Sequence, residues 1–386
     1  MRQVNRWSSV FGMAMLLLGA AFVSFPGGAV LADTSFSQIG ADIDGEAAGD
    51  NAGVSVAMSA DGSRVAIGAI NNDGGGGDAG QVRVYTLVNG VWTQTGADID
   101  GEAAGDYSGG SVAMSADGSR VAIGSRFNDG NGSDAGQVRV YTLINGVWTQ
   151  TGADIDGEAA GDNAGVSVAM SADGSRVAIG ALYNGPISVG GGFPGTSAGQ
   201  VRVYTLVNGV WTQTGADIDG EGATDNAGGS VALSADGSRV AIGALNNDGG
   251  GNFGVLRGQV RVFTFTNGVW TQTGADIDGE AGLRGFGRSV AMSADGSRVT
   301  IGAMNDSNAG QVQVYEGVEL TTTTTSIASA TTTIAPVTTT IAPVTTTVMS
   351  PLVLPSTGSQ SDGWLIVGIF ALILGTVLVT RRRNPR

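Results

Sequence analysis

Along most of this chain, apolar and polar positions alternate with a period of two in short runs separated by glycine-rich and acidic stretches. In the first hundred residues the runs are Val54 to Ser59, Arg64 to Ala69, Gln81 to Leu87 and Val91 to Gly96. Strict alternation over four to eight residues reads as half-buried β-strand. No apolar stripe at helical spacing accompanies it, and Val, Thr and Gly, poor helix formers, dominate. Four strands are therefore predicted, termed A, B, C and D. Ala60-Asp61-Gly62-Ser63 joins A to B and Val88-Asn89-Gly90 joins C to D; Asp-Gly and Asn-Gly are strong hairpin signals.

The four-strand set recurs. The phrase SADGSRVxIGx appears five times, with its aspartate at Asp61, Asp117, Asp173, Asp236 and Asp295, at intervals of 56, 56, 63 and 59 residues. At that period one copy is a supersecondary unit and the array is the fold. Four antiparallel strands per copy predict the blade of a β-propeller. Phe36-Ser37-Gln38-Ile39-Gly40 aligns with Trp92-Thr93-Gln94-Thr95-Gly96, so the array opens on a lone D strand; the last copy ends after its C strand, at Val312-Gln313-Val314-Tyr315. The expected architecture is all-β: a five-bladed β-propeller of four-stranded blades closed by the N-terminal strand, then a disordered Thr-rich stalk and a C-terminal transmembrane helix. An open stack of blades or a β-solenoid is the alternative.

These residues resemble the FG-GAP repeats of integrin α-subunit propellers and bacterial surface proteins. The fifth copy carries the likeness best, with Phe286-Gly287 ahead of SVAMSADGSRVTIGA and Ile301-Gly302-Ala303 at the place of the GAP element. The other copies lack the Phe, and no copy has proline after Gly-Ala. The resemblance covers roughly Phe36 to Tyr315 and implies a propeller. It also implies calcium in a DxDxDG-type loop between A and B, but here that turn is too short to hold an ion, so none of the family's calcium residues carries over.

The ends of the chain have their own patterns. Arg2 and Arg6 precede an apolar run from Val10 to Phe25, then Pro26-Gly27-Gly28 and Val30-Leu31-Ala32. A charged start, apolar middle and small-residue site mark a secretory signal over residues 1–32, with cleavage expected after Ala32. At the other end Leu354-Pro355-Ser356-Thr357-Gly358 is followed by an apolar run from Trp364 to Thr380 and by Arg381-Arg382-Arg383. Seventeen helical residues would span ~25 Å, a short membrane pass with cytoplasmic arginines. Over residues 354–386 this order resembles the LPxTG wall-sorting signal of Gram-positive surface proteins. The resemblance implies that a sortase cuts after Thr357 and joins it to peptidoglycan, anchoring the protein at the extracellular surface; the membrane is met only through the C-terminal segment before sorting. Between body (33–320) and signal, residues 321–353 are Thr-rich, with TTTIAPV at Thr331 to Val337 and again at Thr338 to Val344. Such a segment cannot bury a core and reads as an extended stalk, open to O-glycosylation; thirty residues of it would reach ~90 Å.

Composition narrows the chemistry. The chain has no cysteine and no histidine, and all 19 of its cationic side chains are arginine. Thiolate sites, the commonest zinc ligand and lysine-amine chemistry are thereby closed. Residues 33–357 hold 33 acids against 13 arginines, a net charge of 13 − 33 = −20. Such a body repels nucleic acid and attracts cations.

In an up-and-down blade the D–A and B–C connections share one face and the short A–B and C–D turns the other. The D–A connections are acidic: Asp42, Asp44, Glu46 and Asp50; Asp98, Asp100, Glu102 and Asp106; Asp154, Asp156, Glu158 and Asp162; Asp217, Asp219, Glu221 and Asp225. The fifth keeps Asp276, Asp278 and Glu280 but has Leu283-Arg284 in place of the last acid. Closely spaced carboxylates with glycine are hard oxygen ligands of the kind Ca2+ selects. The structural alternative is that they accept backbone N–H bonds and pair with repeated arginines such as Arg64, Arg120 and Arg176. The B–C connections differ most between copies, and loops that vary on a constant scaffold are where binding surfaces are built; Tyr183, Phe193 and Arg257 are the candidate anchors. Trp92, Trp148, Trp211 and Trp270, with Phe36 in register, read as blade-to-blade packing or as sugar-stacking platforms.

The expectation is a wall-anchored extracellular binding or adhesion protein whose partner is a protein or a glycan. A lectin-like propeller and a structural wall component with no specific ligand are the alternatives. Because the blades are near copies and histidine is absent, no enzymatic activity is expected.

Overall fold

The computed structural model describes residues 36–185, 197–248, 257–280, 284–304, 310–317, 368–371 and 376–379. The chain divides into two compact units, Met1–Leu320 and Thr321–Arg386.

The first unit is an all-β, five-bladed propeller, with no helix among its described residues. In the first blade β1 (Ala52–Met58), β2 (Arg64–Ala69), β3 (Gln81–Val88) and β4 (Val91–Gln94) lie side by side in sequence order, all antiparallel. Asn89 and Gly90 take φ of 52° and 80°, the left-handed pair that a type I′ hairpin needs. The D strand runs further than the alternation indicates. It breaks after Gln94 and resumes as β5 (Ile99–Asp100), which also pairs with β3, Val82 opposite Ile99. The next three blades repeat this order; the fifth is represented by three strands, Arg284–Met292, Arg298–Met304 and Gln311–Glu316.

The core lies between blades. Ala66, Val82 and Val84 of the first blade and Val121, Ile123 and Trp148 of the second form one buried cluster, and Val112 and Met114 pack against it. Every junction repeats the same polar contacts. Ser55, Ser111, Ser167 and Ser230 each donate a hydroxyl to a glycine carbonyl of the following blade, at 2.6–2.7 Å. Arg64, Arg120, Arg176 and Arg239 reach across to the carbonyls of Gly118, Gly174, Gly237 and Gly296. The amides of Ala60, Ala116, Ala172 and Ala235 donate to the next alanine in that series, each at 2.8 Å. The glycine of the recurring Ile-Gly permits this approach: a Cβ on Gly124 would lie 2.1 Å from the Gly165 carbonyl oxygen.

Two expectations need correction. The segment from Phe36 to Gly40 forms no strand and does not complete the fifth blade. It lies instead against the first blade, where Trp92 donates its indole N–H to the Ile39 carbonyl, the contact that Trp148 makes with Thr95 of the preceding blade. Phe36 itself is fully exposed, so it does not share the packing role of the tryptophans. Pairing across the ring requires the end blades to meet, and their outer faces are open. Val56 and Val314 are 68% and 65% exposed, whereas Val84, Val140 and Val203, which match Val314 in the first three blades, are each 1% exposed.

In the second unit the stalk, the sorting pentapeptide and most of the apolar run lie outside the described residues. Where the run is described it is a pair of antiparallel strands, Gly368–Ala371 and Thr376–Val379, instead of the expected helix. Apolar length alone does not separate helix from strand, and the β-branched Ile, Val and Thr of this run favour the latter. No helix among the described residues is long and apolar enough to cross a membrane.

Candidate functional site

The four acids of each D–A connection meet four different fates, and the pattern repeats from blade to blade. The first is exposed and bonded locally: Gln94 donates to Asp98, and Gln38, Gln150 and Gln213 do the same for Asp42, Asp154 and Asp217. The second sits in the resumed D strand. The Asp100 carbonyl accepts from Arg139 at 2.7 Å and its carboxylate from Gln81 at 3.2 Å. The carbonyls of Asp44, Asp156 and Asp219 accept likewise from Arg83, Arg202 and Arg261.

The third acid is the partner of that same arginine. Glu46, Glu102, Glu158 and Glu221 lie 3.5–3.8 Å from Arg83, Arg139, Arg202 and Arg261, whose side chains are almost wholly buried. Arg64, Arg120 and Arg176, the expected partners, bond to carbonyls at the opposite face, so that pairing is corrected. Both arginine series recur at fixed offsets, and periodicity cannot tell which one the fold carries to the acidic face. Each arginine of the pairing series also stacks over the aromatic two residues on, as Arg139 does over Tyr141 at 5.6 Å, which holds the guanidinium in place.

The fourth acid is buried and organises the loop. Asp162 accepts from the amides of Glu158 and Ala159 and from the Asn184 side chain. Asp50, Asp106 and Asp225 do the same with Asn72, Asn128 and Asn247. Burial pushes the Asp162 and Asp225 carboxyls up, against the pull of these donors.

Together these residues line a pocket on the D–A and B–C face. One pocket of ≈ 600 Å³ is bounded by Glu158, Asp162, Asn184, Gln200, Asp219 and Glu221. The next, of ≈ 240 Å³, is bounded by the equivalents Glu221, Asp225, Asn247, Gln259 and Asp278. Gln200 is 4% exposed and its Oε1 has no partner, as is true of Gln81 and Gln137. The fifth blade departs: Gln313 stands where the others have the pairing arginine. The Asn, Gln and Arg members are missed by reading the acids alone, although the Gln and Arg recur in QVRV phrases and Asn72, Asn128 and Asn247 in Asn-Asp, at the period of the acids.

For calcium, the oxygen donors are present but already engaged by Arg, Asn, Gln and backbone N–H groups. Among the described residues no three acids gather closely enough to hold a metal ion. Of the loop anchors, Tyr183 and Arg257 lie in the B–C connections of neighbouring blades, both half-buried. Tyr183 donates its amide to the Asp162 carbonyl, and the Arg257 Nε is buried without a partner. Phe193 lies outside the described residues. The tryptophans serve the blade junctions: Trp148, Trp211 and Trp270 donate to Thr95, Thr151 and Thr214 at 2.7 Å.

No family model and no curated protein matches this chain. Among solved structures it is similar to a periplasmic gluconolactonase of Pseudomonas aeruginosa, at 19% identity and a TM-score of 0.45, over 68% of this chain and 67% of that one. A putative 6-phosphogluconolactonase from Bacteroides uniformis aligns at 16% identity and a TM-score of 0.43, over 69% and 72% of the two chains. TolB from Acinetobacter baumannii aligns at 15% identity and a TM-score of 0.40; there 68% of this chain spans about half, 51%, of the other. At these identities the likeness is one of architecture. Two of these neighbours are named as lactonases, so the expectation that the chain has no enzymatic activity does not stand.

Proposed function

We propose that this chain is a cell-wall-anchored extracellular binding or adhesion protein that carries an FG-GAP-like propeller on a stalk. The observation that carries the reading is the recurrence of one polar pocket, in the same arrangement, on the face that also holds the connections differing most between blades. A repeated pocket beside variable loops suits a ligand that is itself repetitive and is held by several weak contacts at once. The sorting pentapeptide Leu354 to Gly358, the apolar run and the terminal arginines support attachment through Thr357 by a sortase to peptidoglycan. The charge of −20 over residues 33–357 argues against nucleic acid as a partner.

Carbohydrate is the second reading. Each pocket offers carboxylate and carboxamide groups together, a set that bonds to sugar hydroxyls, and the unpartnered Gln200 Oε1 is an acceptor waiting for a donor. The test uses residues 33–320, which contain every member of the four core clusters. This fragment is applied to arrays of glycans and of extracellular proteins, with calcium and again with a chelator. Binding is expected, weakened by Asp219→Ala together with Gln200→Ala. Calcium dependence would assign the metal to the acidic pockets, and calcium-independent glycan binding would select the lectin reading. Silence in both buffers from a folded fragment would overturn the proposal in favour of a structural wall component.

A further inference from the structure

The two ends of the blade array are unfinished in complementary ways. On the fifth blade Val312 and Val314 are 68% and 65% exposed, while their equivalents in the second blade, Val138 and Val140, are 0% and 1% exposed. On the first blade Val56 and Met58 are 68% and 59% exposed, while Val112 and Met114 in the second blade are partly buried and packed against the core of the junction. The uncovered valines of one end are thus the partners that the uncovered Val and Met of the other end have at each internal junction.

The polar contacts are complementary as well. Ser289 is the fifth in the series of serines that donate to the next blade's glycine carbonyl, and Gly53 stands in that glycine's place on the first blade. Arg298 continues the series of arginines that donate to the turn glycine, whose first-blade equivalent is Gly62; here Arg298 turns back to Glu316 at 2.9 Å, with both side chains exposed. Beside Ser289 an open groove of ≈ 540 Å³, lined by Gly302, Met304, Gly310 and Val312, lies where the following blade's glycine loop sits at internal junctions. At those junctions the glycine equivalent to Gly302 faces a backbone oxygen at about 2 Å from its would-be Cβ; among the described residues Gly302 faces only Ser289.

We infer that the exposed face of the fifth blade and the exposed face of the first are the two halves of one more blade junction, joined between two copies of this chain, head to tail. A second copy is the occupant because all four apolar side chains stay uncovered within one chain, and because the required contacts are already made four times in the molecule. The same docking would bring a partner's Phe36–Gly40 segment, which rides on its first blade, alongside the edge of Gln311–Glu316 that is unpaired among the described residues, and would add a fourth strand there. Such an interface is heterologous: it propagates unless the rotation closes.

The test is the molar mass of residues 33–320 by light scattering and sedimentation over the micromolar to millimolar range, with two variants at exposed sites. Val56→Glu disables the first-blade face and Val314→Glu the fifth-blade face. The wild-type fragment is expected to associate with rising concentration, and each variant alone to stay monomeric. An equimolar mixture of the two variants is expected to form a one-to-one pair that grows no further, because one intact junction remains. A monomeric wild type, as an intrachain ring or bare ends would give, overturns the inference. So does association that either variant retains alone, or a mixture that does not pair.

Discussion

Gly124→Ala tests the account of the blade junction most directly. Gly124 has no left-handed φ to defend, so the substitution is one of volume alone. The added methyl would lie 2.1 Å from the Gly165 carbonyl oxygen and 2.4 Å from Ser111 Oγ. A comfortable contact is ~3.5 Å, so the second and third blades must separate by about 1 Å locally or the strand must bend. Overpacking of this kind costs about 1–3 kcal/mol, and loss of the Ser111 hydroxyl's bond to that carbonyl adds about 1 kcal/mol. The expected destabilisation is about 2–4 kcal/mol, read from the midpoint of urea unfolding at constant slope. Gly302→Ala is the control, made in the Val314→Glu chain so that the fifth face stays uncovered. It meets the equivalent serine hydroxyl, that of Ser289, at 2.4 Å but, among the described residues, no carbonyl from a following blade. A loss below about 1 kcal/mol at Gly124, or an equal loss at Gly302, would refute the claim that backbone approach between blades is what requires glycine.

Two further outcomes follow from the polar contacts. Arg139→Met keeps most of the stem's volume but leaves the Asp100 carbonyl and Glu102 without their donor; it should destabilise by about 2–4 kcal/mol, measured by thermal unfolding. In the A–B turns, the serine hydroxyls and amides that donate to Asp61, Asp236 and Asp295 lower these carboxyls from the ordinary 3.8 to about 2. A folded-state value below the unfolded one gives stability that is present above pH 3.8 and lost as pH falls through about 2. Asp236→Asn should therefore flatten the acid limb of the stability curve between those values, and an unchanged limb would count against the turn hydrogen bonds as its source.

Much of the molecule was legible because the repeat makes each reading five times over. Alternation, the Asp-Gly and Asn-Gly turns and the 56-residue spacing placed the A, B and C strands to within a residue or two. The division of connections between two faces follows from strand order alone. What the pattern concealed is where two equally periodic signals compete. Arg64 and Arg83 recur with the same period, and only the path of the chain decides that Arg83 reaches Glu46 while Arg64 reaches the turn of the next blade. The resumed strand at Ile99–Asp100 was hidden inside an acidic stretch that reads as loop. Closure was illegible for a different reason: it depends on the accumulated angle between blades, which no single repeat encodes.

The uniformity of the junctions bears on how such a gene can change. Because each blade meets its neighbours through the same serine, arginine, alanine and glycine contacts, removing or adding one whole period brings together two faces that already fit. Unequal recombination between near-identical coding repeats would then yield chains with four or six blades whose every junction is complete. Blade number is a property this architecture leaves free to drift, while the contacts within each junction are held fixed.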